Sequence, residues 1–234
     1  MIDYNYPKVA LITGLEFEAR IARQVIKNTG ADDIVMVAGL GGPLAEQAVA
    51  EAVAADVRGI VSFGVCGGLD PALPAGSVVM PEKVLGPEAL SVDQAWRDRL
   101  KAQLTAQYDI TTDNILTVQN TVETTSEKSA LYQQTGACAV DMESAHLARL
   151  AASNNLPFIA VRVVHDPASQ TLAPAFRDIV KSNGQFDGWK LVKGLIFNWP
   201  GTAYLKQMSD NDQEARANLA GLTRLALPGF GIAD

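Results

Sequence analysis

Asp141-Met142-Glu143-Ser144 and Arg162-Val163-Val164-His165-Asp166 each set a carboxylate beside an apolar, β-branched run, and Glu18 follows a third such run, Val9-Ala10-Leu11-Ile12-Thr13. Ligands of open parallel sheets gather beyond the carboxyl ends of the strands, so three acids carried there would converge on one crevice. Carboxylates so gathered can grip hydroxyl groups, hand a proton to a leaving group or orient water. Each also has a plainer reading. Asp166 could cap a turn before Pro167, Glu143 could answer the dipole of a helix it begins, and Glu18 could be an ordinary first-turn residue of a surface helix.

The elements that must position these acids alternate in type. Apolar runs Val9 to Thr13, Ile34 to Ala38 and Gly59 to Val65 predict strands, and the stretches Glu16 to Asn28 and Pro43 to Ala55 between them predict helices. This βαβαβ order implies right-handed crossovers and a three-layer α/β/α fold with a mixed, mostly parallel twisted sheet. Pro71, Pro74 and Gly76 break the chain before a strand at Ser77 to Met80, and Ser91 to Tyr108 reads as a helix with Ser91 as N-cap. Ile115 to Val118 and Phe158 to Val164 are the next strands, with a helix from Met142 to Ser153 between them that stops before Asn154, Asn155 and Pro157. No internal repeat is present.

Composition narrows the function classes. A chain of 234 residues, 48% of them hydrophobic, can bury a substantial core and reads as one domain over 1–234. A net charge of −7 argues against a nucleic-acid partner, which needs clustered Lys and Arg. No apolar run approaches the roughly 20 residues that span a bilayer, and Met1 to Lys8 lacks a signal pattern, so a cytoplasmic location is expected. Cys66 and Cys138 are the only cysteines, and neither is spaced with His146 or His165 as a metal ligand. They read as structural thiols, and no metal is expected.

Glycines punctuate the strand ends at Gly14, Gly39-Leu40-Gly41-Gly42 and Gly64-Val65-Cys66-Gly67-Gly68, where they let a ligand approach the backbone. No Walker lysine follows any of them, and Gly39-Leu40-Gly41-Gly42-Pro43-Leu44 has leucine where a dinucleotide fingerprint needs its third glycine. Nucleotide-driven phosphoryl transfer is therefore not expected.

The strand order, the Cys66-Gly67-Gly68-Leu69 turn, Asp141-Met142-Glu143-Ser144 and Arg162-Val163-Val164-His165-Asp166 together resemble the nucleoside phosphorylase and nucleosidase superfamily over about residues 8–183. Within it the chain looks most like methylthioadenosine/adenosylhomocysteine nucleosidases, and closest to the hopanoid-associated phosphorylases that release adenine from adenosylhopane. The resemblance implies cleavage of an N-glycosidic bond. Asp166 would be the general acid at the purine, Glu143 would bind ribose hydroxyls over Met142, Glu18 would position the attacking water, and Gly67 and Gly68 would contact base or sugar. It implies no cofactor beyond inorganic phosphate as a co-substrate of the phosphorylases, and a homo-oligomer. Gly14-Leu15-Glu16-Phe17-Glu18 replaces the phosphate-binding pattern of many phosphorylases, which favours water, although Arg20, Arg58 and Arg162 remain phosphate candidates.

The chain departs from the pattern in two places. Gln119-Asn120-Thr121-Val122-Glu123-Thr124 has no aromatic to stack on a purine, so Val122 and Glu123 would line a remodelled base site, or Phe63 would approach from the sheet. His165 stands where nucleosidases often have serine, and would orient Asp166 or tune its proton affinity, or else be structural. His146 reads as packing or interface.

The C-terminal extension, about 184–226, is apolar. Trp189 and Phe197 fall in a helix expected from Phe186 to Asn198, with Trp199 just beyond it, broken at Pro200-Gly201 and followed by a more polar helix from about Asn211 to Leu225. Its stripe would face the core or a subunit, or else shelter an apolar substrate or touch the inner membrane peripherally. Two rival functions stay open: phosphorolysis of a soluble nucleoside, and a non-catalytic nucleoside-binding or membrane-associated scaffold.

Overall fold

The structure is a computed structural model that describes residues 7–39, 41–173, 185, 187 and 200–233. Ten strands form one mixed sheet, flanked by helices. Five residues of apolar sequence make β1, Val9–Thr13, and all five are buried. It leads into α1, Glu16–Thr29, whose Gly30 takes a left-handed φ of 74° and closes the helix. β2, Ile34–Val37, and α2, Ala45–Ala54, then return the chain to β3, Gly59–Gly68.

β3 positions the site. One edge pairs with β10, Phe158–Asp166, along almost its whole length. The other edge is divided: Gly59 to Ser62 pair with β1, and Gly67 and Gly68 pair antiparallel with β9, Ala139–Asp141. Between them the sheet parts, so the loops after β1 and β9 face each other across the far half of β3. A crevice where neighbouring strands diverge is the usual ligand site of such sheets.

The remaining strands are short: β4, Val78–Val79; β5, Lys83–Leu85; β6, Ala89–Ser91; β7, Ile110–Thr111; and β8, Ile115–Thr117. Ser91 ends β6 rather than capping a helix. The cap of α3, Gln94–Leu104, is Asp93, whose side chain accepts from the Trp96 amide. α4, Thr125–Thr135, escaped the expectations, although Thr124 and Glu127 form a capping box legible in the sequence. α5, Ser144–Ser153, starts two residues later than expected because Ala139 to Asp141 are spent in β9.

The C-terminal helix α6 spans Thr202–Ala226, longer than the expected Asn211 to Leu225, and ends near a 3-10 turn at Gly229–Gly231. Ala215, Leu219, Leu222 and Ala226 give it a buried stripe at helical spacing. The expected helix from Phe186 to Asn198, with Trp189 and Phe197, lies outside the described residues apart from Asp187, and so does Trp199. Among the described residues no helix is long and apolar enough to cross a membrane.

Candidate active site

A cavity of about 860 Å³ opens where the sheet parts. Glu18 reaches it from α1, Met142 and Glu143 from the turn after β9, and His165 and Asp166 from the end of β10. Gly67 forms part of its wall, and Val122 and Glu123 line it from the loop before α4. Gly68 does not: its space is taken by the chain after β10, where an added Cβ would meet Pro167 Cα at 3.2 Å. Phe63 is also elsewhere, fully buried and edge-on to Phe230 at 6.0 Å, so it cannot stack on a ligand.

Beneath the cavity floor lies Arg162, 1% exposed. Its Nη2 is 2.8 Å from Asp141 Oδ2 and 3.5 Å from Glu143 Oε2, and donates to Ser62 Oγ at 2.6 Å and Ser144 Oγ at 3.1 Å. Asp141 is held further by Thr117 Oγ1, which donates at 2.7 Å. Arg162 is therefore occupied as a counter-ion and is not free to bind phosphate. Arg20 is exposed on α1 and absent from the cavity wall, and Arg58 lines a separate pocket with Trp96 and Pro157. None of the three phosphate candidates faces the cavity.

Glu18 accepts from the Leu15 amide at 2.8 Å and the Val65 amide at 2.7 Å, which fixes both carboxylate oxygens. Burial pushes its pKa up, and the Arg162 guanidinium and these amides pull it back only in part. Glu143 accepts from the Gly41 amide at 3.1 Å. Burial raises its pKa too, with Arg162 opposing and Asp141 and Glu18 adding to the rise. One cation faces three carboxylates here.

Two glycines give these acids room. A Cβ on Gly14 would stand 2.8 Å from Glu143 Oε1, and one on Gly64 would stand 2.5 Å from Glu18 Oε1. Gly64→Ala is expected to displace Glu18 and to cost about 1–3 kcal/mol by overpacking, read by denaturant melts. A variant as stable as the parent would mean that Glu18 can move freely.

At the other wall, β10 carries an irregularity. Its register with β3 shifts between Val164 and Asp166, which makes His165 the extra residue of a bulge. Alternation in a regular strand would send neighbouring side chains to opposite faces; here both His165 and Asp166 line the cavity. Asp166 Oδ2 lies 2.7 Å from Lys128 Nζ, and Lys128 also donates to the carbonyls of Asp166, Pro167 and Gln170 at 2.9–3.1 Å. Lys128 is 1% exposed, an unusual place for a lysine. Nothing in Thr125-Ser126-Glu127-Lys128-Ser129 marked it, since a lysine in a polar helix ordinarily points to solvent.

His165 bridges two acids, with Nδ1 3.8 Å from Asp166 Oδ1 and Nε2 3.6 Å from Asp212 Oδ1. Asp212 comes from α6, on a face that brings Leu205, Met208, Ser209 and Asp212 to the cavity at i, i+3, i+4 and i+7. Arg216 clamps Asp212 at 2.6 Å and sits 4.2 Å over the Phe17 ring. His146 stays outside the cavity wall, near Gly42 and 3.0 Å from Arg149 Nη2.

The fold and this cavity define an α/β protein whose strand-end crevice presents carboxylates in three separate settings to a small molecule. The chain belongs to the phosphorylase superfamily, whose model matches residues 16–186. It is an enzyme of the nucleosidase or nucleoside phosphorylase class. The fold is similar to that of 5′-methylthioadenosine/S-adenosylhomocysteine nucleosidase from Neisseria meningitidis in complex with methylthio-immucillin-A, at TM-score 0.68 and 17% identity, covering 94% of this chain and 98% of that one. The corresponding Helicobacter pylori nucleosidase with butyl-thio-DADMe-Immucillin-A gives TM-score 0.65 at 13% identity, covering 93% and 98%. Futalosine hydrolase of Helicobacter pylori gives 0.66 at 14%, covering 92% and 97%. Comparison with curated proteins gives no sequence match.

Proposed function

We propose that the enzyme hydrolyses the N-glycosidic bond of an adenine nucleoside with an apolar 5′ substituent. The observation that carries this reading is the gathering of Glu18, Glu143 and Asp166 around one cavity of about 860 Å³. Expelling a purine from C1′ leaves negative charge on the base unless N7 is protonated, and Asp166 is the acid for that position. Glu143 holds the ribose hydroxyls, with Met142 packed under the sugar, and stabilises positive charge as C1′ flattens. Glu18, fixed by two amides, orients the water.

Water is preferred to phosphate on charge grounds. Among the described residues the cavity wall carries Glu18, Glu123, Asp141, Glu143, Asp166 and Asp212, with no lysine or arginine. A phosphate dianion entering this wall would find no bidentate cationic partner, since the one basic side chain there, His165, is already paired with Asp166 and Asp212. The apolar substituent fits the side formed by Phe17, Leu172, Leu205 and Met208. A lipid-linked substrate of the adenosylhopane kind, in hopanoid biosynthesis, follows from the resemblance to hopanoid-associated phosphorylases, as does a homo-oligomer; peripheral membrane contact is the reading of the apolar stripe that includes Trp189, Phe197 and Trp199.

Chromatographic release of adenine from adenosine, methylthioadenosine and a synthetic apolar 5′ adduct, each with and without inorganic phosphate, tests the reading. Phosphate-independent release, fastest from the apolar adduct, is the expected result. Strict dependence on phosphate would reverse the choice of nucleophile, and equal rates on all three substrates would remove the apolar specificity.

A further inference from the structure

We propose that His165, backed by Asp212 of α6, is the proton source of the reaction and recharges the Asp166 carboxylate that meets the purine. The inference rests on the nucleosidase reading and adds a relay to it.

Asp166 is poorly placed to store a proton by itself. Among the described residues its Oδ2 is the only charged partner of Lys128, whose other contacts there, at 2.9–3.1 Å, are neutral carbonyls. A proton resident on Asp166 would leave a buried ammonium without a counter-ion, which is costly. The resting carboxylate is thus an anion, and the proton for N7 must come from a neighbour.

His165 is that neighbour. The bulge of β10 turns it into the cavity beside Asp166 instead of onto the opposite face. Its Nδ1 faces Asp166 Oδ1 and its Nε2 faces Asp212 Oδ1, so each ring nitrogen is paired with a carboxylate and the imidazolium suits both. Among the described residues the other charges around it are Arg216 on α6, Lys128 of α4 beyond Asp166, and Glu18, Glu123, Asp141 and Glu143 on the rest of the cavity wall. Burial opposes a charged ring, but the Asp166 and Asp212 carboxylates outweigh it and raise the His165 pKa to about 9. The same contact lowers that of Asp212, with Arg216 assisting. At neutral pH the ring carries the proton.

The step balances. As the bond from C1′ to N9 breaks, its electron pair stays on the purine; Asp166 Oδ1 takes a proton from His165 Nδ1 and passes it to N7, which leaves the imidazole neutral and the Asp166 carboxylate anionic. Water adds to C1′ and releases its proton towards Glu18, and solvent returns a proton to His165 at the Asp212 edge, where Asp212 is 35% exposed.

The test combines pH profiles with imidazole NMR in a His146→Gln background, which leaves His165 as the one histidine signal. The signal is expected to titrate near 9, and kcat to fall with the same midpoint as pH rises. Asp212→Asn should move both midpoints to lower pH together, with KM little changed. His165→Gln should lower kcat by ~10²-fold and abolish the limb. An active enzyme whose limb survives His165→Gln, or whose signal titrates below pH 7, overturns the proton source and leaves the nucleosidase reading standing. A protein whose signal titrates as expected but which releases no base from any substrate overturns the nucleosidase reading, and the relay with it.

Discussion

Asp166→Asn is expected to lower kcat for adenine release by about 10²–10⁴-fold, the usual contribution of a positioned general acid. The amide is nearly isosteric and its carbonyl can still accept from Lys128 Nζ, which lies 2.7 Å from Oδ2 in the parent. What it cannot do is pass a proton to N7 or take one from His165. KM should change far less than kcat, since the lost interaction strengthens only as charge builds on the departing base. Removing the anion also leaves Lys128 buried with carbonyls alone. A stability loss follows, smaller than the ~3–5 kcal/mol of a broken fully buried pair, because the Asp166 side chain is 28% exposed.

The two effects separate in a second variant. Lys128→Met combined with Asp166→Asn removes both charges, and stability should recover towards the parent while kcat stays low. Recovery of activity in the double variant would mean that the single variant failed through misplacement of Lys128 and not through loss of the acid. Retention of more than a third of the parent kcat in Asp166→Asn would assign protonation of the base to another group.

The parts of this site that were legible in the sequence are those that depend on local pattern. β1, β3 and β10 are apolar, β-branched runs long enough to read unambiguously, and Glu18 follows β1 as Asp166 ends β10; Glu143 instead follows the three-residue β9, too short to show a period of its own. Residues whose place depends on tertiary geometry were hidden. A period of two puts His165 and Asp166 on opposite faces, and only the shifted pairing with Gly67 brings both to the cavity. Lys128 reads as a solvated helix residue until the backbone carbonyls after β10 are folded around it. Two-residue strands such as Val78–Val79 are set by neighbours and carry no period of their own.

The start of α6 was hidden for a related reason. Ser209-Asp210-Asn211 resembles a cap after the Pro200-Gly201 break, yet the helix begins at Thr202. Isolated helices of polar sequence are marginal in water. The stripe of Leu205, Met208 and Asp212 against the cavity, and of Ala215 and Leu219 against the core, supplies the tertiary support that propensity does not.

Arg162→Leu should be the most damaging single change to stability, at about 3–5 kcal/mol, as when one partner of a buried ion pair is removed. Asp141 and Glu143, 5% and 4% exposed, would lose their shared cation, and Glu18 would lose the charge that moderates its burial. Ser62 and Ser144 would lose their guanidinium donor but keep each other at 2.9 Å. The pH dependence gives the diagnostic sign. Burial already raises the pKa of Glu18 and Glu143 above the ordinary carboxylate value while Arg162 pulls them down. Without Arg162 both rise further. The folded state then holds protons that the unfolded chain releases above about pH 4.5, so folding stability falls as pH rises past that value and through the folded pKa. The deficit of Arg162→Leu relative to the parent should therefore be small near pH 5 and largest near pH 8 in urea melts. A deficit equal at both values would mean that the loss is one of packing alone, and that the carboxylates around Glu143 do not depend on Arg162 for their charge.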